Sequence, residues 1–84
     1  MSKIIMGIQL QQRHDTARAV QDILTDFGCF IKTRVGVHQT YENACTELGL
    51  ILIEFMNDVD DEAAKMEQAL SELNYVTVKT MKFE

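Results

Sequence analysis

The 84-residue chain contains no proline. Proline removes an amide donor and fixes φ, which kinks helices and interrupts central strands, so its absence leaves every element free to run unbroken. Cysteine is scarce, with only Cys29 and Cys45. There is no C-x-x-C and no H-x-x-x-H, so the usual spacings of zinc and redox motifs are missing. Basic residues are also short, with 8 lysines and arginines against 13 acids and a net charge of −5. Affinity for nucleic acid comes largely from basic side chains at phosphates, so a chain this acidic is not expected to bind it directly. No apolar run approaches the roughly 20 residues a membrane-crossing helix needs, so no membrane partner is expected. Met1–Lys3 leads straight into a strand pattern with no leader ahead of it, so the expectation is a cytoplasmic protein with free thiols and no Cys29–Cys45 disulfide.

What is present is ordinary globular material. At 46% hydrophobic and 25% charged, the chain holds enough apolar surface to offset chain entropy, which excludes disorder. Its length makes residues 1–84 a single domain with a thin core.

Hydrophobic periodicity divides the chain into six elements. Ile4, Met6, Ile8 and Leu10 alternate with Ile5, Gly7 and Gln9, which predicts a strand over 3–11. Asp15 is the predicted cap of a helix whose apolar stripe is Ala17, Val20, Ile23, Leu24 and Phe27 and which closes at a left-handed Gly28. A second strand is predicted over 30–38, with Ile31, Thr33, Val35 and Val37 on one face and Lys32, Arg34, Gly36 and His38 on the other. After the polar stretch 39–45, residues 47–55 predict a strand that is apolar on both sides and therefore needs cover on both. Asp58, Asp60, Asp61 and Glu62 suit the positive end of a helix whose buried stripe is Ala63, Met66, Leu70 and Leu73, with Asn74 as its left-handed cap. A strand over 75–83 closes the order.

The order βαββαβ predicts an α+β, ferredoxin-like sandwich: a four-stranded antiparallel sheet with two helices on one face and the first and third strands central. Helices cover only one face. The other is expected to expose Ile5, Ile51, Ile53 and Phe55, an apolar patch that a second copy would cover, making the chain a homo-oligomer, a dimer or a tetramer.

The stretch R-V-G-V-H at Arg34–His38, the polar connection after it, E-L-G-L-I-L-I-E-F from Glu47, and the capped helix ending in D-F-G resemble the small TM1266-like family, named as iron-only hydrogenase system regulators. The resemblance spans nearly the whole chain. It implies a fold similar to ACT domains and to the C-terminal domain of the nickel-responsive repressor, whose βαββαβ units pair and bind a small effector. In ACT domains a glycine turn after the first strand meets an amino acid. Gln11–Asp15 has no glycine, which argues against such binding there. The chain starts at its first strand without the repressor's DNA-binding segment, so regulation is expected to run through a partner protein.

Four groups of residues carry candidate chemistry. His38 and Cys45 lie at the two ends of one strand connection, and imidazole with thiolate suits nickel, copper or zinc. By resemblance they match two ligands of the nickel repressor, but Gly36 stands where another histidine would be. A metal site would therefore need ligands from a neighbouring subunit. The other reading is a surface histidine and a small buried cysteine. Cys29 follows the carboxyl end of a helix, whose negative pole disfavours a thiolate, so it reads as structural. His14 with Asp15, and the run Asp58–Glu62, are weak acid–base candidates, because neighbouring positions point apart and the run is accounted for as a helix start. Lys32, Arg34 and His38 share a strand face, expected to be the one turned away from the helices, and would bind an anionic effector, or else form a charged edge that discourages aggregation.

The sequence thus reads as a regulatory module that binds a small ligand or a protein and has no enzymatic activity of its own, its cofactor unknown. The alternatives are a metal-binding protein using His38 and Cys45 at a subunit interface, and a small dimeric ferredoxin-like enzyme.

Overall fold

The structure is a computed structural model that describes residues 1–11, 14–37 and 48–84, with all their side chains except those of His14 and Leu48. The elements are β1 (Lys3–Gln11), α1 (His14–Asp26), β2 (Ile31–Val37), β3 (Leu48–Phe55), α2 (Asp60–Ser71) and β4 (Val76–Phe83). The sheet order is β2-β3-β1-β4, with every pair antiparallel. This is the predicted βαββαβ arrangement with the two most apolar strands at its centre.

Both helices pack on one face of the sheet. Met6, Ile8 and Leu10 of β1 meet Val20 and Leu24 of α1, Ala63, Met66 and Leu70 of α2, and Ile51, Ile53 and Phe55 of β3 in a buried cluster. The cluster uses the predicted stripes of β1 and both helices. It overturns the expected phase of β3. Ile53 and Phe55 are fully buried and Ile51 nearly so, so none of the three lies on the open face.

Register explains the reversal. In an antiparallel pair, facing residues project to the same side. Met6 faces Ile53 and Ile8 faces Ile51, so the core side of β1 takes the isoleucines of β3 with it. Ile5 faces Glu54 and Gly7 faces Leu52, which sends Leu52 outward instead. Of the four residues expected on the open face, only Ile5 is there.

The second correction concerns β2. Ile31 faces Phe55, but Thr33 faces Glu54, so a bulge at Lys32 separates residues that would otherwise share a side. Beyond the bulge the alternation is inverted. Val35 faces Leu52 on the open side, and Arg34 faces Ile53 on the helix side.

Helix ends differ in detail. α1 begins at His14, so Asp15 lies within its first turn, where its charge still complements the positive helix end. Gly28 is not left-handed. The chain leaves α1 through a 3-10 turn, Gly28–Phe30, in which the Phe30 amide donates to the Phe27 carbonyl at 3.0 Å. After α2 the left-handed residue is Tyr75, with φ 66°, rather than Asn74. Asp60, Asp61 and Glu62 do occupy the first turn of α2. Its start is held by the chain's own beginning: the Ser2 amide donates to the Asp58 carboxylate at 2.8 Å, and the Ser2 hydroxyl donates to Asp60.

Candidate functional site

Two features stand out from the compact half of the molecule. The first is the open face of the sheet. Val35, Leu52, Met81 and Phe83 are each two-fifths or more exposed there, and Ile5, Val37 and Leu50 are half-buried beside them. The registers fix their layout. Val35, Val37, Leu50 and Leu52 fill one quarter of the face, on β2 and β3. Ile5, Met81 and Phe83 fill the diagonally opposite quarter, on β1 and β4. The other two quarters are polar.

One polar quarter is tied across three strands. Lys3 of β1 donates to the Glu54 carboxylate at 2.6 Å, and the Thr33 hydroxyl of β2 donates to its second oxygen at 2.8 Å. The Lys3 hydrogen bond, then that of Thr33, holds the Glu54 carboxyl below the usual carboxylate range. The other polar quarter holds Gln9 and Thr77, which face each other across β1 and β4, and the exposed Lys79, which faces Gly7. Gly7 lies between the quarters. A Cβ there would stand 3.8 Å from Leu52 Cδ2, so the Leu52 side chain leans over a strand position that has none.

The second feature lies on the helix side, where α1 stands off from the β2 edge. A cleft of about 370 Å³ opens there, lined by Ala17 and Gln21 of α1, Arg34 and Gly36 of β2, and Gly49 and Ile51 of β3, together with neighbouring strand positions. The Arg34 guanidinium donates to the Gln21 side-chain oxygen, which holds the cation at the rim.

The predicted effector residues are therefore parted. Lys32 sits exposed on the bulge and is not part of the cleft lining. Arg34 does line it, on the face opposite to the one expected. His38 and Cys45 lie outside the described residues, so the metal reading has no geometry here. Among the described residues no group of three His, Cys, Asp or Glu side chains is placed to hold a metal ion. Cys29 is a free, exposed thiol in the 3-10 turn. Asp15 is exposed and the side chain of His14 is outside the described set. In the acidic run, Asp60 accepts from Lys82 at 2.7 Å and from Ser2, and these hydrogen bonds, Lys82 first, lower its pKa. That carboxylate ties α2 to β4, which is a structural role. Among the described residues no helix is long and apolar enough to cross a membrane.

The sequence reading missed Leu52, Val35, Met81 and Phe83 on the open face and Gln21 and Gly36 at the cleft. Glu54 was the available signal for the first group, since a charge two places from Leu52 marks the side of β3 that faces away from the core. For Gly36 the signal was a glycine within a strand, which often marks the close approach of a ligand or another backbone.

No protein-family model and no curated protein sequence matches the chain. Solved structures do. An uncharacterized protein of Thermotoga maritima, TM1266, shares 22% identity over the full length of both chains, with a TM-score of 0.78. The ACT domain of GTP pyrophosphokinase from Chlorobium tepidum shares 12% identity over 94% of this chain and 96% of that one, with a TM-score of 0.71. CPII, a nitrogen regulatory PII-like protein of Thiomonas intermedia K12 bound to ADP, AMP and bicarbonate, shares 14% over 99% and 89%, with a TM-score of 0.64. The chain therefore has the ACT-like, ferredoxin-like fold that the resemblance to TM1266 implied.

Proposed function

We propose that the protein is a non-enzymatic regulatory module that assembles with copies of itself through the open face of its sheet and binds a small effector. The apolar open face is the observation that carries this reading. Side chains such as Met81 and Phe83, more than half exposed, gain by leaving water, at about 25 cal/mol per Å² of apolar surface. Four strands about 4.8 Å apart, with some six residues of about 3.3 Å rise each, give each copy a face of about 400 Å² in plan.

A second copy of the chain fits the pattern. The apolar quarters lie on one diagonal. A two-fold axis along that diagonal sets each apolar quarter on its own counterpart and sets the Lys3–Glu54 quarter on the partner's Gln9 and Thr77 quarter. The effector part of the proposal is supported by the shared fold: one protein with it is a nitrogen regulatory PII-like protein bound to ADP, AMP and bicarbonate.

Native mass spectrometry of protein purified without chelator tests the assembly. The expected spectrum is a small multiple of the 9.6 kDa chain. A monomer at micromolar concentration would overturn the assembly, and one metal ion retained per chain would turn attention to His38 and Cys45.

A further inference from the structure

Glycine within a β-strand is costly, because it loses more chain entropy on ordering than any other residue and packs nothing. Gly36 needs an explanation, and backbone conformation does not supply one, since no glycine among the described residues has a positive φ. Crowding does not supply one either. A Cβ on Gly36 would meet nothing within 4 Å among the described residues. Gly7 differs on this point, because Leu52 covers it. What Gly36 does is leave a space open: it faces Ile51 across β2 and β3, beneath the part of α1 that carries Ala17 and Gln21. Gly49 of β3 lines the same hollow. The opening registers on Ile51, which is 9% exposed while Ile53, one step along the same face, is fully buried.

The chemistry of the lining is one-sided. The chain carries a net charge of −5, yet among the described residues no acid lines this cleft, and Arg34 is the one charged residue of that set that does. Gln21 accepts from Arg34 through its oxygen, which leaves its amide NH₂ to donate beside the guanidinium. A fork of N–H donors at the rim of a largely apolar hollow matches a carboxylate or phosphate head on an apolar body. The volume is at the small end of the range for ligand pockets.

We infer that this cleft binds a small organic anion, with its charged head at Arg34 and Gln21 and its apolar body in the space that Gly36 leaves open. The inference rests on the reading of the protein as an effector-binding module, and it names the site and the ligand class.

The four glycines provide the test, because Gly36 and Gly49 line the cleft while Gly7 lies on the open sheet face and Gly28 follows α1. The whole ¹⁵N-labelled chain is titrated with phenylacetate and with phenyl phosphate, which share a body and differ in head, and with neutral phenylacetamide. The expected result is saturable movement of the Gly36 and Gly49 amide signals with at least one anion, while Gly7 and Gly28 stay still. The tighter of the two anions identifies the head as carboxylate or phosphate. Arg34→Gln should raise the Kd for that anion about tenfold and leave the amide probe unchanged. Gly36→Val, or the smaller Gly36→Ala should valine disturb folding, should block the hollow and weaken binding of all three probes. Movement at Gly7 alone, no saturation by either anion up to about 10 mM, or full binding by the folded Gly36 variant would each overturn the site. A monomer that binds in the cleft overturns only the assembly reading, and an oligomer whose Gly36 and Gly49 signals stay still overturns only the cleft.

Discussion

Residues 50–55 of β3 alternate between two environments. Ile51, Ile53 and Phe55 lie under two helices with almost no contact with water, whereas Leu52, one step from either isoleucine, is 40% exposed on the opposite side. Hydrophobicity does not separate Ile51 and Ile53 from Leu50 and Leu52, since all four are aliphatic, and only Glu54 marks the outer side. Position relative to β1 separates them. The inner set completes the core of one chain, and the outer set is apolar surface that one chain leaves uncovered. The comparison teaches that one strand carries two assignments, fold stability on one side and, by our proposal, self-assembly on the other.

The strongest way to break the comparison is on the inner side. Phe55→Ala removes a fully buried ring and is expected to cost about 3–5 kcal/mol, a large share of the roughly 5–15 kcal/mol typical of a domain. Guanidinium unfolding followed by circular dichroism measures it. A loss below about 1 kcal/mol would mean that the ring is not in the core. On the outer side, Leu52→Asp is expected to leave the far-ultraviolet spectrum intact and reduce the sedimenting mass to one chain. Unfolding of that variant along with its dissociation would erase the distinction between the two sides.

Much of the inner side was legible in the sequence. The alternation Ile4, Met6, Ile8, Leu10 matches a single core face, and the stripes Val20–Leu24 and Ala63–Met66–Leu70 have helical spacing, so both the order of elements and the central strands could be read directly. The outer side was legible in kind but not in residue. A strand apolar on both faces must leave one apolar face uncovered in a two-layer fold, but which one depends on register with a neighbour, and only Glu54 hinted at it. Arg34 was placed on the wrong side for a different reason: a bulge of one residue at Lys32 inverts all that follows, and Ile-Lys-Thr carries no mark of it. The cleft depends on how far α1 stands from the β2 edge, a tertiary distance that no periodicity encodes. His38 and Cys45 lie outside the described residues.

A smaller effect sharpens the comparison at the sheet edge. Gly36→Val places a strand-favouring side chain in open space and is expected to raise stability by about 0.5–1 kcal/mol, read as a higher thermal midpoint. A lower midpoint would mean that the space is not free. The smallest expected effect is that of pH. Glu54 and Asp60 have lowered pKa values, so their contribution is complete above the ordinary carboxylate range, near pH 4, and is lost as pH falls through the depressed values. Lys82, raised by Asp60 and then Glu84, contributes below the ordinary lysine range and loses that contribution as pH rises through its raised value. Glu54→Gln and Asp60→Asn should each flatten the acid limb of a plot of thermal midpoint against pH. All these groups are exposed enough that salt should shrink the effect. A limb unchanged in both variants would remove these pairs from the account.

The most direct test of the open face is methionine oxidation by dilute peroxide at a concentration where the protein is assembled, read by mass spectrometry of its peptides. In a single chain Met1 is 89% exposed, Met81 58% exposed and Met66 fully buried. If copies pack through the open face, Met81 should oxidise slowly, like Met66, while Met1 oxidises fast, and Leu52→Asp should release Met81 to the fast class. Met81 oxidising in the wild-type protein as fast as it does in Leu52→Asp would contradict the account, because the face would then be open to water.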